Sequence, residues 1–281
     1  MADVRSVLRA ARSALAAAGV ASPQADSELL LAHVLGCHRN RLLAGGELSR
    51  AEQVEFDRLL TERGAGRPVQ HLTGRAPFRR LELRVGPGVF IPRPETELLP
   101  ELAAAELARA ELVADLCAGS GAIGLSVAQE HPGVQVVAVE RSTAALAWLN
   151  RNAAEQELPN FAVVAGDIAD PALLDQQAGR FDVVLSNPPY VPTRLRKRLG
   201  PEVAFDPAEA VFAGEDGLAL LPALVAAAAR LLRPGGLLAF EHDESQRAAA
   251  AELLGATGLW HAIAASEDLT GRDRFTAARR N

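Results

Sequence analysis

Along the first stretch of the chain, apolar residues recur at helical spacing: Val4, Val7, Leu8, Ala11 and Leu15. Ser22-Pro23 predicts a helix start with Ser22 as N-cap, and Gly36 closes the Leu29–Leu35 run. Ser49 with Glu52 reads as a capping box ahead of Val54, Phe56, Leu59 and Leu60, and Gly64 and Gly66 end the helices. A helical domain over residues 1–74 follows, with no glycine-rich loop or catalytic cluster of its own, suited to recognising a partner. Leu81, Leu83 and Val85 alternate with Arg80, Glu82 and Arg84, which predicts a half-buried strand. Gly86-Pro87-Gly88 turns the chain, and Val89-Phe90-Ile91 is the expected return strand, giving a β-hairpin linker over 75–92. The proline-stiffened segment Pro92–Glu97 then leads into a helix expected from about Glu95 to Ala110.

From Leu112 the pattern changes. Leu112–Leu116, Val134–Val139, Phe161–Val164, Phe181–Ser186 and Leu237–Phe240 are short apolar runs bounded by turn residues. Helical stretches lie between them at Ala122–Glu130, Ser142–Glu155 and Gly217–Leu232. Near-continuous apolar strands alternating with helices predict an α/β fold with a mostly parallel, doubly wound sheet across residues 93–281. Trp260–Ala264 and Arg274–Ala278 are expected to close it as a hairpin.

Composition narrows the classes. With 49% hydrophobic and 23% charged residues the chain is globular rather than disordered. A net charge of −6 argues against a surface built to grip nucleic acid. The two cysteines, Cys37 and Cys117, cannot form a disulfide framework and suggest a reducing compartment. The start lacks the unbroken apolar core of a signal peptide, and the apolar stretch Leu218–Ala229 is too short to span a bilayer. A cytoplasmic protein without membrane contact is expected, and nothing demands more than a monomer. His33, His38, His71, His131 and His261 show no metal spacing, so no metal is expected.

The first chemical signal follows the strand Leu112–Leu116. Asp115-Leu116-Cys117-Ala118-Gly119-Ser120-Gly121 runs into a helix, and Gly119, Gly121 and Gly124 satisfy G-x-G-x-x-G. Glu140 ends the next strand, near the offset expected of a ribose-binding acid. Together these predict a nucleoside site. Asp115 suits a cationic ligand such as S-adenosylmethionine and would repel a pyrophosphate; its plainer role is to hold the loop's own amides. Asp167, after the third strand, could accept the adenine amino hydrogens or simply shape a turn. Cys117 reads as a small packing residue rather than a reactive thiol.

The second signal ends the fourth strand: Asn187-Pro188-Pro189-Tyr190. Parallel sheets bind ligands at the carboxyl ends of their strands, so Asn187 belongs to the same edge as the glycine loop. The Asn187 side-chain oxygen and the Pro188 carbonyl can both accept from one planar NH2 group, and Tyr190 offers it a flat face. That suits methylation of an amide or amino nitrogen whose lone pair is delocalised. Two neutral acceptors hold the N–H bonds and stabilise the positive charge that develops, so no strong base is required.

On these residues the chain resembles the PrmC/HemK family of protein-glutamine methyltransferases over nearly its whole length. The family's S-adenosylmethionine loop is matched by Asp115 through Gly121, with Cys117-Ala118 in place of the usual Gly-Thr. Its ribose acid is matched by Glu140, its adenine-side acid by Asp167 with Ile168 beside it, and its catalytic motif by Asn187 through Tyr190. Phe90–Glu97 resembles the I-P-R-P-E-T-E signature and His71–Gly74 the upstream L-T-G. Asp206-Pro207, Gly214 and Asp216-Gly217-Leu218 resemble the E-P…G-x-D-G-L stretch, with Asp206 in place of Glu. The resemblance implies a class I, Rossmann-like, S-adenosylmethionine-dependent core behind the helical domain and hairpin. It also implies methyl transfer to the glutamine of the Gly-Gly-Gln loop in peptide chain release factors, with the helical domain gripping the factor.

Competing readings share some of these features. An N-P-P-Y enzyme could act on DNA adenine, RNA guanine or another protein glutamine; the acidic charge and the lack of a basic recognition domain disfavour nucleic acid. A nicotinamide oxidoreductase would leave Asn187–Tyr190 unexplained, and a binding module could keep the pocket without the transfer. Arg194, Arg196, Lys197 and Arg198 read as a solvated loop or a contact for an acidic partner, and Glu241–Glu244 as a polar rim near the pocket.

Overall fold

The computed structural model describes residues 2–281; Met1, within the first sequence-based domain, lies outside them. The chain divides into two compact units. One runs to Arg75 and takes in Gly200–Phe205; the other comprises Ala76–Leu199 and Asp206–Asn281.

In the first unit, a two-residue strand β1 (Ala2–Asp3) pairs antiparallel with β2 (Glu47–Leu48). Helices α1 (Val4–Ala17), α2 (Pro23–Val34), α3 (Arg50–Gly64) and α4 (Val69–Thr73) surround a core that includes Leu30, Leu31, Leu48, Phe56 and Leu59. Ser49 and Glu52 form the expected capping box at α3. Ser22 precedes α2 but its side chain caps nothing; Pro23, with its fixed φ and missing N–H, starts that helix. The return of Gly200–Phe205 to this unit has an ionic cause. Arg63, 3% exposed, donates through Nε to Asp26 Oδ2 at 2.7 Å and through a terminal nitrogen to Glu202 Oε1 at 2.5 Å. Sequence placed this segment in the second domain because pairs so distant along the chain leave no local pattern.

From Ala76 the second unit opens within β3 (Arg75–Phe78), which forms a two-stranded sheet with β4 (Leu81–Arg84). The hairpin thus pairs Leu81–Arg84 with the segment before it, not with Val89–Ile91. Alternation identifies a half-buried extended segment but not its neighbour. Val89 and Ile91 are buried without forming a strand, and the Ile91 N–H donates to Asp206 Oδ1 at 3.0 Å. The helix expected over 95–110 is broken into a 3-10 turn Pro94–Glu97, α5 (Leu98–Leu102) and α6 (Ala104–Leu107). Leu99, Ala103 and Leu107 stay buried across the break, so the apolar spacing survives although the helix does not.

Strands β5 (Leu112–Leu116), β6 (Gln135–Glu140), β7 (Phe161–Ala165), β8 (Phe181–Ser186), β9 (Leu232–Glu241), β10 (Trp260–Glu267) and β11 (Asp273–Arg280) build one sheet, ordered β10-β11-β9-β8-β5-β6-β7. β11 runs against both its neighbours, and the other pairings are parallel. Helices α7 (Ala122–Glu130), α8 (Thr143–Gln156), α9 (Ala208–Val211), α10 (Leu221–Leu231) and α11 (Arg247–Ala256) follow or separate the strands. Apolar clusters cover both faces, one around Phe240, Leu224 and Leu254 and one around Val113, Leu125 and Leu185. This is the mostly parallel, doubly wound arrangement that the apolar strands imply. Strand order reverses between β5 and β8, where such sheets open a crevice.

Candidate active site

Register brings the motifs together. Leu116 pairs with Val139 and with Ser186, Glu140 with Ala165, and Ser186 with Phe240. The next residues on each strand, Cys117, Glu140, Gly166-Asp167, Asn187 and Glu241, therefore stand side by side at one carboxyl edge. A cavity there is lined by Cys117, Ala118, Gly119, Ser120, Glu140, Asp167, Ile168 and Asn187 through Tyr190. Val89, Phe90, Pro92 and Thr96 line it from the loop after β4.

The glycine turn owes its shape to backbone freedom. Gly119 has φ +57° with nothing within 4 Å of where a Cβ would stand, so the loop backbone is bare towards the cavity. Cys117 has φ +63°, a left-handed conformation costing about 1 kcal/mol for a side-chain-bearing residue. Burial, then Glu140 and Asp115, push its thiol up to about 12, so it holds its proton at neutral pH.

Asp115 and Gly121, both expected at the cofactor, do not line the cavity. A Cβ on Gly121 would stand 2.5 Å from Leu149 Cδ1, so this glycine serves helix packing. Asp115 is fully buried beneath the loop, and its Oδ2 accepts the Gly124 N–H at 2.8 Å. The plainer role, holding the loop, is the one the geometry shows. Its Oδ1 is buried without a partner among the described residues, and burial raises the carboxyl to about 7, Gly124 opposing and Glu140 adding to the rise.

Glu140 faces the cavity while its two oxygens accept from Gly119, Arg141 and Ser142 N–H groups at 2.7–2.8 Å. Carboxylate oxygens carry about four acceptor positions, so one remains for a ligand hydroxyl. Asp167 Oδ1 accepts from Ala169 N–H at 2.9 Å and its Oδ2 lies 3.2 Å from Arg141; these bonds hold its carboxyl below the usual range against partial burial. Ile168, 6% exposed, gives the cavity an apolar wall.

Asn187 Nδ2 donates to Thr96 Oγ1 at 3.0 Å, and Thr96 Oγ1 donates to Glu241 Oε2 at 2.7 Å. Tyr190 Oη donates to Glu241 Oε1 at 2.7 Å. Among the described residues nothing donates to Asn187 Oδ1 or to the Pro188 carbonyl, the two acceptors the sequence singles out. Glu241 and His242 are each 2% exposed, so the first half of Glu241–Glu244 is interior rather than rim. Thr96 and Glu241 were missed as a site pair because 145 residues separate them; the signal available was only their positions in the proline loop and at a strand end.

The loop after Asn187 is held from outside. Gln246 Nε2 donates to the Tyr190 carbonyl at 2.8 Å, and a Cβ on Gly217 would stand 2.0 Å from that oxygen. Asp206 pairs with Arg93 as well as the Ile91 N–H, so the shorter acid reaches both partners in the proline loop. Arg194, Arg196, Lys197 and Arg198 lie exposed on a 3-10 turn, with the Arg196 guanidinium 5.1 Å above the Phe212 ring.

Residues 6–74 match the PrmC N-terminal domain model and residues 86–200 the methyltransferase small domain model. The structure of the 16S rRNA N2 G1207 methyltransferase of T. thermophilus, solved with AdoMet and guanosine, covers 74% of this chain and 50% of its own at TM-score 0.53 and 24% identity. The hMettl16 catalytic domain covers 71% and 75% at TM-score 0.56 and 16% identity. These fix the fold as class I methyltransferase. A protein of Mycolicibacterium smegmatis named release factor glutamine methyltransferase is 46% identical over 100% of this chain and 99% of its own length. One of Deinococcus radiodurans with the same name is 42% identical over 99% of each. With full-length relatives at this identity, a class I sheet and Asn187–Tyr190 set beside the glycine turn, the chain belongs to the release factor glutamine methyltransferase family.

Proposed function

We propose that this chain transfers a methyl group from S-adenosylmethionine to the side-chain amide nitrogen of the glutamine in the Gly-Gly-Gln loop of peptide chain release factors. The observation that carries the reading is Asn187, whose Oδ1 has no donor among the described residues and which lines one cavity with Gly119 and Glu140. The residues fit the cofactor: Gly119 leaves the loop bare, Glu140 keeps an acceptor for a ribose hydroxyl, and Ile168 and Asp167 flank an apolar wall where an adenine would lie. When bound, S-adenosylmethionine supplies a methyl group on a sulfonium sulfur, which keeps the electrons of the broken bond.

Asn187 Oδ1 and the Pro188 carbonyl accept the two amide hydrogens of the glutamine and turn its nitrogen lone pair towards that methyl carbon. Tyr190 stacks against the amide plane. As the new N–C bond forms, both acceptors stabilise positive charge on nitrogen, and the proton then leaves to water. Orientation of this kind is worth up to roughly 7–11 kcal/mol of barrier. Each fixed dipole facing developing charge adds about 3–4 kcal/mol.

The test offers labelled S-adenosylmethionine with release factor, DNA or RNA, and compares S-adenosylmethionine with NAD by calorimetry. Transfer to release factor alone supports the reading; transfer to DNA or RNA alone, or binding of NAD alone, overturns it.

A further inference from the structure

Thr96, on the cavity wall, bonds Asn187, and Glu241 bonds both Thr96 and Tyr190; neither has a role in the chemistry above. Glu241 is 2% exposed and Thr96 3%, so both make their bonds out of solvent. An ionised carboxylate only accepts hydrogen bonds. The Thr96 hydroxyl, 2.7 Å from Oε2, must therefore spend its one proton on Glu241. Its oxygen is then an acceptor towards Asn187 and takes the Nδ2 group at 3.0 Å. With Nδ2 committed there, Oδ1 is the end of the amide left for a ligand. The other carboxylate oxygen takes the Tyr190 hydroxyl at 2.7 Å.

We propose that Thr96 and Glu241 are positioning residues: one buried carboxylate sets the polarity of a Glu241–Thr96–Asn187 chain, so that Asn187 presents an acceptor and not a donor to the substrate nitrogen, while holding the Tyr190 ring in place. Without this polarity the Asn187 amide can turn over. Its NH2 would then meet the substrate NH2 donor to donor, and the transfer geometry would be lost although nothing else had moved. Burial raises the Glu241 carboxyl, with Glu95 adding to the rise and the bonds from Thr96 and Tyr190 and the nearby Arg274 opposing it.

This inference rests on the proposed reaction, and the experiment separates the two. Thr96→Val removes the hydroxyl at nearly constant shape; Thr96→Ser keeps it. With release factor as substrate, Thr96→Val is expected to lower kcat at least about tenfold while the KM for release factor and the Kd for S-adenosylmethionine stay within about twofold. Thr96→Ser is expected to recover kcat to within about threefold. In an Asn187→Ala background, with no amide left to orient, Thr96→Val should cost nothing further; a purely structural threonine would subtract its full effect again. Independently of any activity, the Asn187 side-chain NH2 resonances, assigned by their loss in Asn187→Ala, should shift in Thr96→Val and in Glu241→Gln and return in Thr96→Ser. Unchanged resonances, or full turnover in Thr96→Val, overturn the relay. No transfer to release factor by the wild-type chain overturns the proposed reaction instead, and the resonances still decide the relay.

Discussion

Ser186 on β8 lies opposite Leu116 on β5 in parallel register, and its hydroxyl donates to the Leu116 carbonyl at 2.6 Å. This buried bond joins the last residues of the two strands that deliver the chemistry. Cys117 and Asn187 follow directly, so the glycine turn and the Asn187–Tyr190 loop share one fixed edge. Ser186→Ala leaves the Leu116 carbonyl without this donor and is expected to cost about 1–2 kcal/mol of stability. Chemical denaturation measures this, and an unchanged midpoint would remove the bond from the account.

Asn152 ties the same edge to β4. It is 1% exposed; its Oδ1 accepts the Arg84 N–H at 2.7 Å, and its Nδ2 donates to the Ser120 and Arg84 carbonyls at 2.9 and 3.0 Å. Asn152→Asp replaces the donor with an acceptor facing two carbonyls. A loss of about 2–4 kcal/mol is expected, with weaker S-adenosylmethionine binding by calorimetry because Ser120 lines the cavity proposed for the cofactor.

Gly217→Ala sets a methyl group 2.0 Å from the Tyr190 carbonyl at φ +81°, where backbone must yield. Turnover is expected to fall at least about tenfold together with the melting temperature. Gly255, in α11 with open space around it, makes the control: Gly255→Ala should raise stability by about 0.5–1 kcal/mol and leave turnover alone. Equal effects at the two glycines would contradict the close approach to Tyr190.

Asp115 gives a pH signature. Its folded carboxyl sits near 7, against 3.8 as its ordinary value, so the folded state holds the proton more tightly than the unfolded chain. Its stability contribution is present below about pH 4 and is lost as pH rises towards 7. Asp115→Asn cannot ionise, so its melting temperature relative to wild type should climb from about pH 5 to about pH 8. A difference that stays flat across the range would show that burial does not penalise this carboxylate.

Much of this was legible in the sequence because strands, loops and their chemistry are local. The apolar runs at Leu112–Leu116 and Phe181–Ser186 have the bounds expected of them, and Asn187–Tyr190 and Gly119 line one cavity. What escaped was pairing between distant residues. Val89–Ile91 looked like the partner of Leu81–Arg84 because it is the nearest extended segment. Asp115 suggested a ligand contact because its partner, the Gly124 amide, carries no signal. Thr96 sits in a recognisable signature, yet nothing in a linear pattern joins it to Glu241. The Asp206–Arg93 and Arg63–Glu202 pairs were hidden in the same way.

The most direct measurement maps the methyl group by mass spectrometry on release factor peptides after reaction with S-adenosylmethionine, using wild type and Asn187→Ala side by side. The wild type is expected to modify the glutamine of the Gly-Gly-Gln loop, and the variant to do so about 10²-fold or more slowly while binding S-adenosylmethionine with unchanged affinity. A methyl group on a different residue, or an Asn187→Ala rate equal to wild type, would contradict the account.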